Sequence, residues 1–266
     1  MLKMDNLKEL LGIMEKLRDP KDGCAWDVEQ TFETIAPYTI EESYEVAEAI
    51  DNKDMGALKD ELGDLLFQVV FHSRMAEEAG HFKFSDVVDA ISDKMVRRHP
   101  HVFGDEEFRD ADEQTVAWEE QKARERAEKK QASILDGVTV GLPALTRAVK
   151  LQKRAARVGF DWPNTDGVID KLNEEMVELS EELIKNKQDQ EKIEEEFGDM
   201  MFVYANLARH LKINPEEALK KANTKFTNRF NKIEQHIGKT QSSFDEHTLD
   251  ELEELWVKAK KEERNT

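Results

Sequence analysis

Two quartets of carboxylates stand out by type and spacing. One is Glu175, Glu178, Glu196 and Asp199; the other, earlier in the chain, is Glu42, Glu45, Glu61 and Asp64. Each quartet is made of i, i+3 pairs, which on a helix share one face with Cβ atoms roughly 5–6 Å apart. Like charges at that spacing repel, so structure alone gains nothing from them. Two successive helices with a short connection become antiparallel neighbours and can bring all four carboxylates together. Such a cleft is costly when empty of counter-charge, and a divalent cation turns that cost into binding. All-oxygen ligation suits Mg²⁺, with Mn²⁺ as a substitute, and magnesium commonly keeps waters and adds substrate phosphates.

Cations and aromatics follow in a matching order. Lys94 and Arg98 stand four apart after the first quartet, Lys225 and Arg229 after the second. Trp118 and Lys122 are answered by Trp256 and Lys260. The order amounts to an internal repeat. Lys225 and Arg229, one turn apart, could reach the phosphates of a nucleotide, with Trp256 adding an aromatic surface and Lys260 a further charge. Gly63 and Gly198 precede the aspartates at equal positions, where glycine costs about 1 kcal/mol relative to alanine; close approach of another helix or of a ligand would account for them. Taken one at a time these residues have plainer readings. Any single glutamate is most often a solvated helix residue, Glu42 fits the capping box of a helix starting at Thr39, and Trp256 fits an amphipathic core.

The elements that must position these groups are helices. Apolar residues recur at helical spacing through Leu7, Leu10, Leu11, Met14 and Leu17. The pattern resumes near Thr39, pauses at Asp51-Asn52-Lys53 and runs on to about Gly80. Another helix is expected after Ser85, stopping before Pro100. The second half predicts helices from about Asp166 to the pause at Asn186, from Ile193 to about Leu211, from an Asn214 cap followed by Pro215 with a capping-box glutamate, and from Thr248. With 12 Gly and 6 Pro in 266 residues and no convincing strand, the chain reads as all-α. The boundary is placed between residues 1–130 and 131–266, with a charged, solvated helix over about 119–134 joining the units.

Composition excludes several classes. A net charge of −19 repels a phosphate backbone, so a nucleic-acid partner is not expected. No apolar run is long enough to span a membrane. Cys24 alone makes no intramolecular disulfide and no thiolate cluster. A start without an apolar signal region fits a cytoplasmic protein. A di-iron bundle needs two Glu-x-x-His pairs, and Glu78 with His81 is the sole such spacing. Neither a glycine-rich phosphate loop nor a motif for a Ser or Cys nucleophile is present.

The chain resembles the MazG family of nucleoside triphosphate pyrophosphohydrolases, in its long two-module form, over nearly its whole length. The resemblance is carried by Arg18-Asp19-Pro20, Gly23 to Asp27, Gln30-Thr31, Pro37 to Glu42, Glu61 to Leu66 and Arg98 to Phe103. Ala25 stands where the family pattern has proline. The resemblance implies helical modules paired in an intertwined homodimer, conversion of NTP and water to NMP and pyrophosphate over a broad substrate range, and a housekeeping role in the nucleotide pool. It makes both quartets metal ligands and Lys171, Lys225, Arg229, Trp256 and Lys260 nucleotide contacts. In-line attack at the α-phosphorus by a metal-activated water is the expected mechanism, with Glu175 or Glu178 accepting the proton. The second module is the expected working site, because Lys171 stands one turn before its first glutamate where the first module has Tyr38. A non-catalytic Mg²⁺- and nucleotide-binding regulator and a hydrolase acting at the terminal phosphate are the alternatives.

Overall fold

The computed structural model describes residues 4–104, 114, 117, 133–240 and 242–263. Among them the secondary structure is helical, with no strand, and no helix is long and apolar enough to cross a membrane. The chain divides into two compact units, Met1–Arg124 and Glu125–Thr266. Trp118, Lys122 and nearly all of the expected joining helix lie outside the described residues.

The first unit holds α1 (Met4–Leu17), α2 (Ala25–Glu29), α3 (Phe32–Asp51), α4 (Met55–Glu78), α5 (Phe84–Arg98) and the short α6 (Pro100–Phe103). Helix α3 begins seven residues before the expected Thr39. Its start is fixed by Thr31, whose hydroxyl accepts from the Thr34 amide while the Thr34 hydroxyl accepts from the Thr31 amide. Glu42 is therefore mid-helix and caps nothing, and Pro37 sits inside the helix. Asp54 caps α4 through the amides of Gly56 and Ala57. Helix α5 starts at Phe84, with the Asp86 carboxylate accepting from the Lys83 amide, so Ser85 is not the cap. The core gathers Met14, Ile35, Val70, Phe71 and Met75, flanked by Leu10, Leu11, Phe67 and Phe84. Each such buried side chain contributes roughly 1.5–3 kcal/mol, which is what holds α1 and α5 against the α3–α4 hairpin.

The second unit holds α7 (Ala144–Ala156), α8 (Thr165–Ile184), α9 (Gln190–His210), α10 (Pro215–Thr240), a 3₁₀ turn (Phe244–Glu246) and α11 (Leu249–Glu263). Asn164, Asp189 and Asn214 cap α8, α9 and α10 with side-chain oxygens. The Glu217 carboxylate pairs with Lys221 one turn on, so the expected capping box at α10 reduces to the Asn214 cap. At α11 the box is complete between Thr248 and Glu251. Helix α7 packs on α9 and α10, and α10 packs on α11.

Candidate metal centre

Each unit is built around a hairpin of two long helices with a short link, α3–α4 and α8–α9. Glu42 and Glu45 lie nine and six residues before the last residue of α3, and Glu61 and Asp64 six and nine after the first of α4. Glu175 and Glu178 stand nine and six before the end of α8, Glu196 and Asp199 six and nine after the start of α9. Positions equally far from the turn of an antiparallel pair face each other. The helix lengths therefore set Glu45 opposite Glu61 and Glu42 opposite Asp64, and likewise Glu178 opposite Glu196 and Glu175 opposite Asp199.

The geometry follows that register. Glu42, Glu45 and Glu61 each place a carboxylate oxygen within 4.8 Å of the others, as do Glu175, Glu196 and Asp199. Asp64 and Glu178 complete the quartets electrostatically. Burial raises the Glu42 carboxyl, with Asp64 the leading repulsive charge, then Glu45 and Glu61. Burial also raises Glu61, with Glu45 leading. Glu196 is raised by burial and then by Glu178, Glu175 and Asp199. Glu178 is raised by burial against the pull of Lys171, with Glu175 and Glu174 adding repulsion. These mutually repelling acids, all hard oxygen donors, fit a divalent cation.

The second cluster has one feature that the first lacks. Glu175 is only 4% exposed, and Lys171 reaches it at 2.7 Å and Glu174 at 2.7 Å. Those two hydrogen bonds hold the ammonium well above the ordinary lysine range. In the first unit Tyr38 takes the corresponding place and packs edge-on against Trp26, with ring centroids 6.1 Å apart.

The other sequence-derived contacts gather elsewhere. Arg229 pairs with Glu263 at 2.8 Å and lies over the Trp256 ring at 5.2 Å, and Phe226 packs against the same ring at 5.3 Å. Lys225 and Lys260 are exposed on α10 and α11. Among the described residues no hydrogen bond or ion pair joins these four to the acidic cluster. Gly63 and Gly198 have open space where a Cβ would stand, so no neighbouring helix of the same chain requires them. Glu78, half of the single Glu-x-x-His spacing, is held by Arg18 at 2.7 Å and Arg74 at 2.9 Å, which removes it from any metal role.

A second group near the α8–α9 cluster carries no motif: Gln152, Asp161, Asn206 and Arg209 around a cavity. The one sequence signal is Asn206, a polar residue seven after Asp199 on a helix face that is otherwise apolar at Phe202 and Val203.

Fold and site together define an all-α protein of repeated helical hairpins, each presenting an acidic cluster suited to a divalent cation. A family model described as the MazG nucleotide pyrophosphohydrolase domain matches residues 30–103 and 165–233, one acidic hairpin in each segment. The chain belongs to the MazG nucleotide pyrophosphohydrolase family. It is 50% identical over 260 residues to the nucleoside triphosphate pyrophosphohydrolase of Escherichia coli strain K12, covering 98% of this chain and 99% of that protein. It is also 46% identical over 253 residues, 95% of each chain, to the nucleoside triphosphate pyrophosphohydrolase/pyrophosphatase MazG of Thermotoga maritima. An uncharacterized Bacillus subtilis protein, YabN, is 42% identical across 96% of this chain, which spans 52% of its length.

Proposed function

We propose that the chain hydrolyses nucleoside triphosphates to nucleoside monophosphate and pyrophosphate, with broad base tolerance and a housekeeping role in the nucleotide pool. The second unit, on this reading, is the working site. The observation that carries the proposal is the convergence of Glu175, Glu196 and Asp199 within 4.8 Å on a hairpin whose register pairs all four acids. The names of full-length relatives support the same chemistry.

Glu175, Glu178, Glu196 and Asp199 would hold Mg²⁺, with Mn²⁺ able to replace it; the first unit's Glu42, Glu45, Glu61 and Asp64 form the equivalent set. Bound there, the ion supplies charge neutralisation on the phosphates and a water of lowered pKa. The chain's own part is to position and to move protons. Glu175 or Glu178 takes the proton of the attacking water as its oxygen bonds to the α-phosphorus, and the α–β bridging bond breaks with its electron pair leaving on pyrophosphate. Lys171, which pairs with Glu174 and Glu175, would stand within reach of a phosphate oxygen of a substrate held at this cluster. Lys225, Arg229, Trp256 and Lys260 are further nucleotide contacts, brought by a second copy in a homodimer. Apolar side chains left exposed on α8 and α9, Val177 at 56% and Phe197 at 51% among them, support such pairing.

Product analysis with one labelled triphosphate tests the reading. Equimolar monophosphate and pyrophosphate, dependent on a divalent cation and abolished in Glu175→Gln, is the expected result. Release of single phosphate groups, or cation-dependent binding without turnover, overturns it.

A further inference from the structure

Helix α11 packs back on α10 and closes over Arg229. Because α10 runs eleven residues past Arg229, α11 has a surface to lie against, where Ile233 and Ala259 are buried. Phe226 packs against Trp256 at 5.3 Å and stacks on Phe230 at 5.9 Å, which stacks in turn on Phe244 at 5.5 Å. That aromatic run holds the Trp256 ring. The Arg229 guanidinium lies over the ring, with Cζ 5.2 Å from its centroid, inside the roughly 6 Å reach of a cation–π contact. Arg229 Nε donates to Glu263 Oε2 at 2.8 Å. With 16% and 26% of the two side chains exposed, the pair is no solvated surface contact.

The carboxylate uses only part of the guanidinium. A guanidinium offers five N–H donors in one plane. Glu263 takes the one on Nε, and among the described residues neither Nη is hydrogen-bonded. A pin that served only to join two helices would gain most from a bidentate grip, which this is not. Capture at Nε instead sets the plane and aims the Nη fork, whose two parallel donors match two oxygens of a phosphate. Charge permits it. Lys225 stands one turn before Arg229 on α10, and Lys260 three residues before Glu263 on α11, both exposed. Three cations against one carboxylate leave this group positive in a chain of net charge −19.

We propose that Glu263 is a positioning residue for the triphosphate: it holds Arg229 against Trp256 so that the open fork meets the phosphates already ordered. A free arginine gives up its rotamer freedom on binding, and a restrained one has already lost it. The assignment rests on the reading of Arg229 as a nucleotide contact; Glu263 itself touches no substrate. The two stand 34 residues apart, and no motif pairs them.

Steady-state kinetics of ATP cleavage with Mg²⁺ on the full chain test it through a double-mutant cycle. Glu263→Ala and Glu263→Met, which keeps the bulk of the stem, should each raise KM about 10-fold with kcat within about 2-fold, the pattern of lost ground-state binding. Glu263→Gln keeps an oxygen acceptor for Nε and should stay within about 3-fold of the parent KM. In the Arg229→Ala background either apolar variant should change KM by less than about 2-fold, because its effect travels through the guanidinium. A purely structural pin gives the same loss in both backgrounds, with lowered melting temperatures, and that result overturns the positioning role. So does a parental or lower KM in both apolar variants, a lower one meaning that the carboxylate competes with phosphate for Arg229. An Arg229→Ala chain with parental KM, or a parent that cleaves no triphosphate, instead removes the underlying reading, and the role of Glu263 falls with it.

Discussion

The two units share a hairpin whose acids sit at the same counts from the turn, and they differ in what surrounds it. In the first unit the helix face beyond Asp64 runs Phe67, Gln68, Phe71 and Arg74, and Phe71 closes a core with Met14, Ile35, Val70 and Met75. In the second the same positions beyond Asp199 are Phe202, Val203, Asn206 and Arg209, and they border a cavity. The lysine that reaches the first glutamate of one hairpin is a tyrosine in the other. After Arg98 the helix ends, whereas α10 runs eleven residues past Arg229. A repeat thus preserves register, which backbone geometry enforces, while its surroundings diverge toward packing in one copy and toward an opening in the other.

The largest effect that could break this comparison is on turnover. Glu175→Gln removes a buried carboxylate and the partner of Lys171, and should lower kcat/KM on the order of 100-fold or more. Glu42→Gln, its counterpart in the packed unit, should change turnover by no more than about 3-fold, under 1 kcal/mol. Pyrophosphate release from the full chain measures both. A reversed ranking moves the working site to the first unit.

Next in size is a packing effect. Phe71→Ala should cost the first unit about 3–5 kcal/mol, the range for a fully buried phenylalanine. Val203→Ala, beside open space, should cost the second roughly 1–2 kcal/mol. Hydrogen exchange resolved along the chain assigns each loss to its unit, and equal costs would mean that the cavity is as tightly packed as the core.

Much of this is legible in the sequence. The i, i+3 acid pairs give two faces, and the equal spacing in both halves gives the hairpin register, because helical periodicity is a property of the backbone. The pauses at Asp51-Asn52-Lys53 and Asn186-Lys187-Gln188 mark its turns. The start of α3 is not legible: the apolar spacing is clear only from about Thr39, whereas the Thr31–Thr34 reciprocal cap begins the helix seven residues earlier, with Pro37 inside it. Nor is the cavity, since Gln152, Asp161, Asn206 and Arg209 come from separate segments and meet through the packing of α7 on α9. Long-range pairing of this kind leaves no spacing in the chain to read.

A pH effect should also separate the units. Burial pushes the His72 imidazole below its ordinary 6.5; its ring lies parallel to Phe32 at 5.9 Å and shares a hydrogen bond with Thr39 at 3.1 Å. A lowered folded value means that the unfolded chain takes up the proton first. This contribution is therefore full above about pH 6.5 and is lost as pH falls through the folded value. The second unit has Leu207 at the matching position. Acidification from pH 7.5 to 5.5 should weaken exchange protection around His72, and His72→Gln should flatten that dependence. If the parent shows no change around His72 over that range, the ring is not held neutral.

The smallest effects test what the glycines are for. Gly63 and Gly198 both sit inside helices with nothing within 4 Å of an added Cβ. In an isolated chain, alanine at either should therefore stabilise its unit by roughly 0.8–1 kcal/mol through helix propensity alone. Gly198 adjoins Asp199 in the unit proposed to work, and there the open space is where substrate, cation or a second copy would approach. Gly198→Ala should raise the melting temperature and yet reduce kcat/KM several-fold, while Gly63→Ala should give the thermal gain with turnover intact. Thermal melts and pyrophosphate release on the same preparations decide it. Should Gly198→Ala keep full activity, the glycine's place in both repeats reflects common descent of the two hairpins and not the demands of a site.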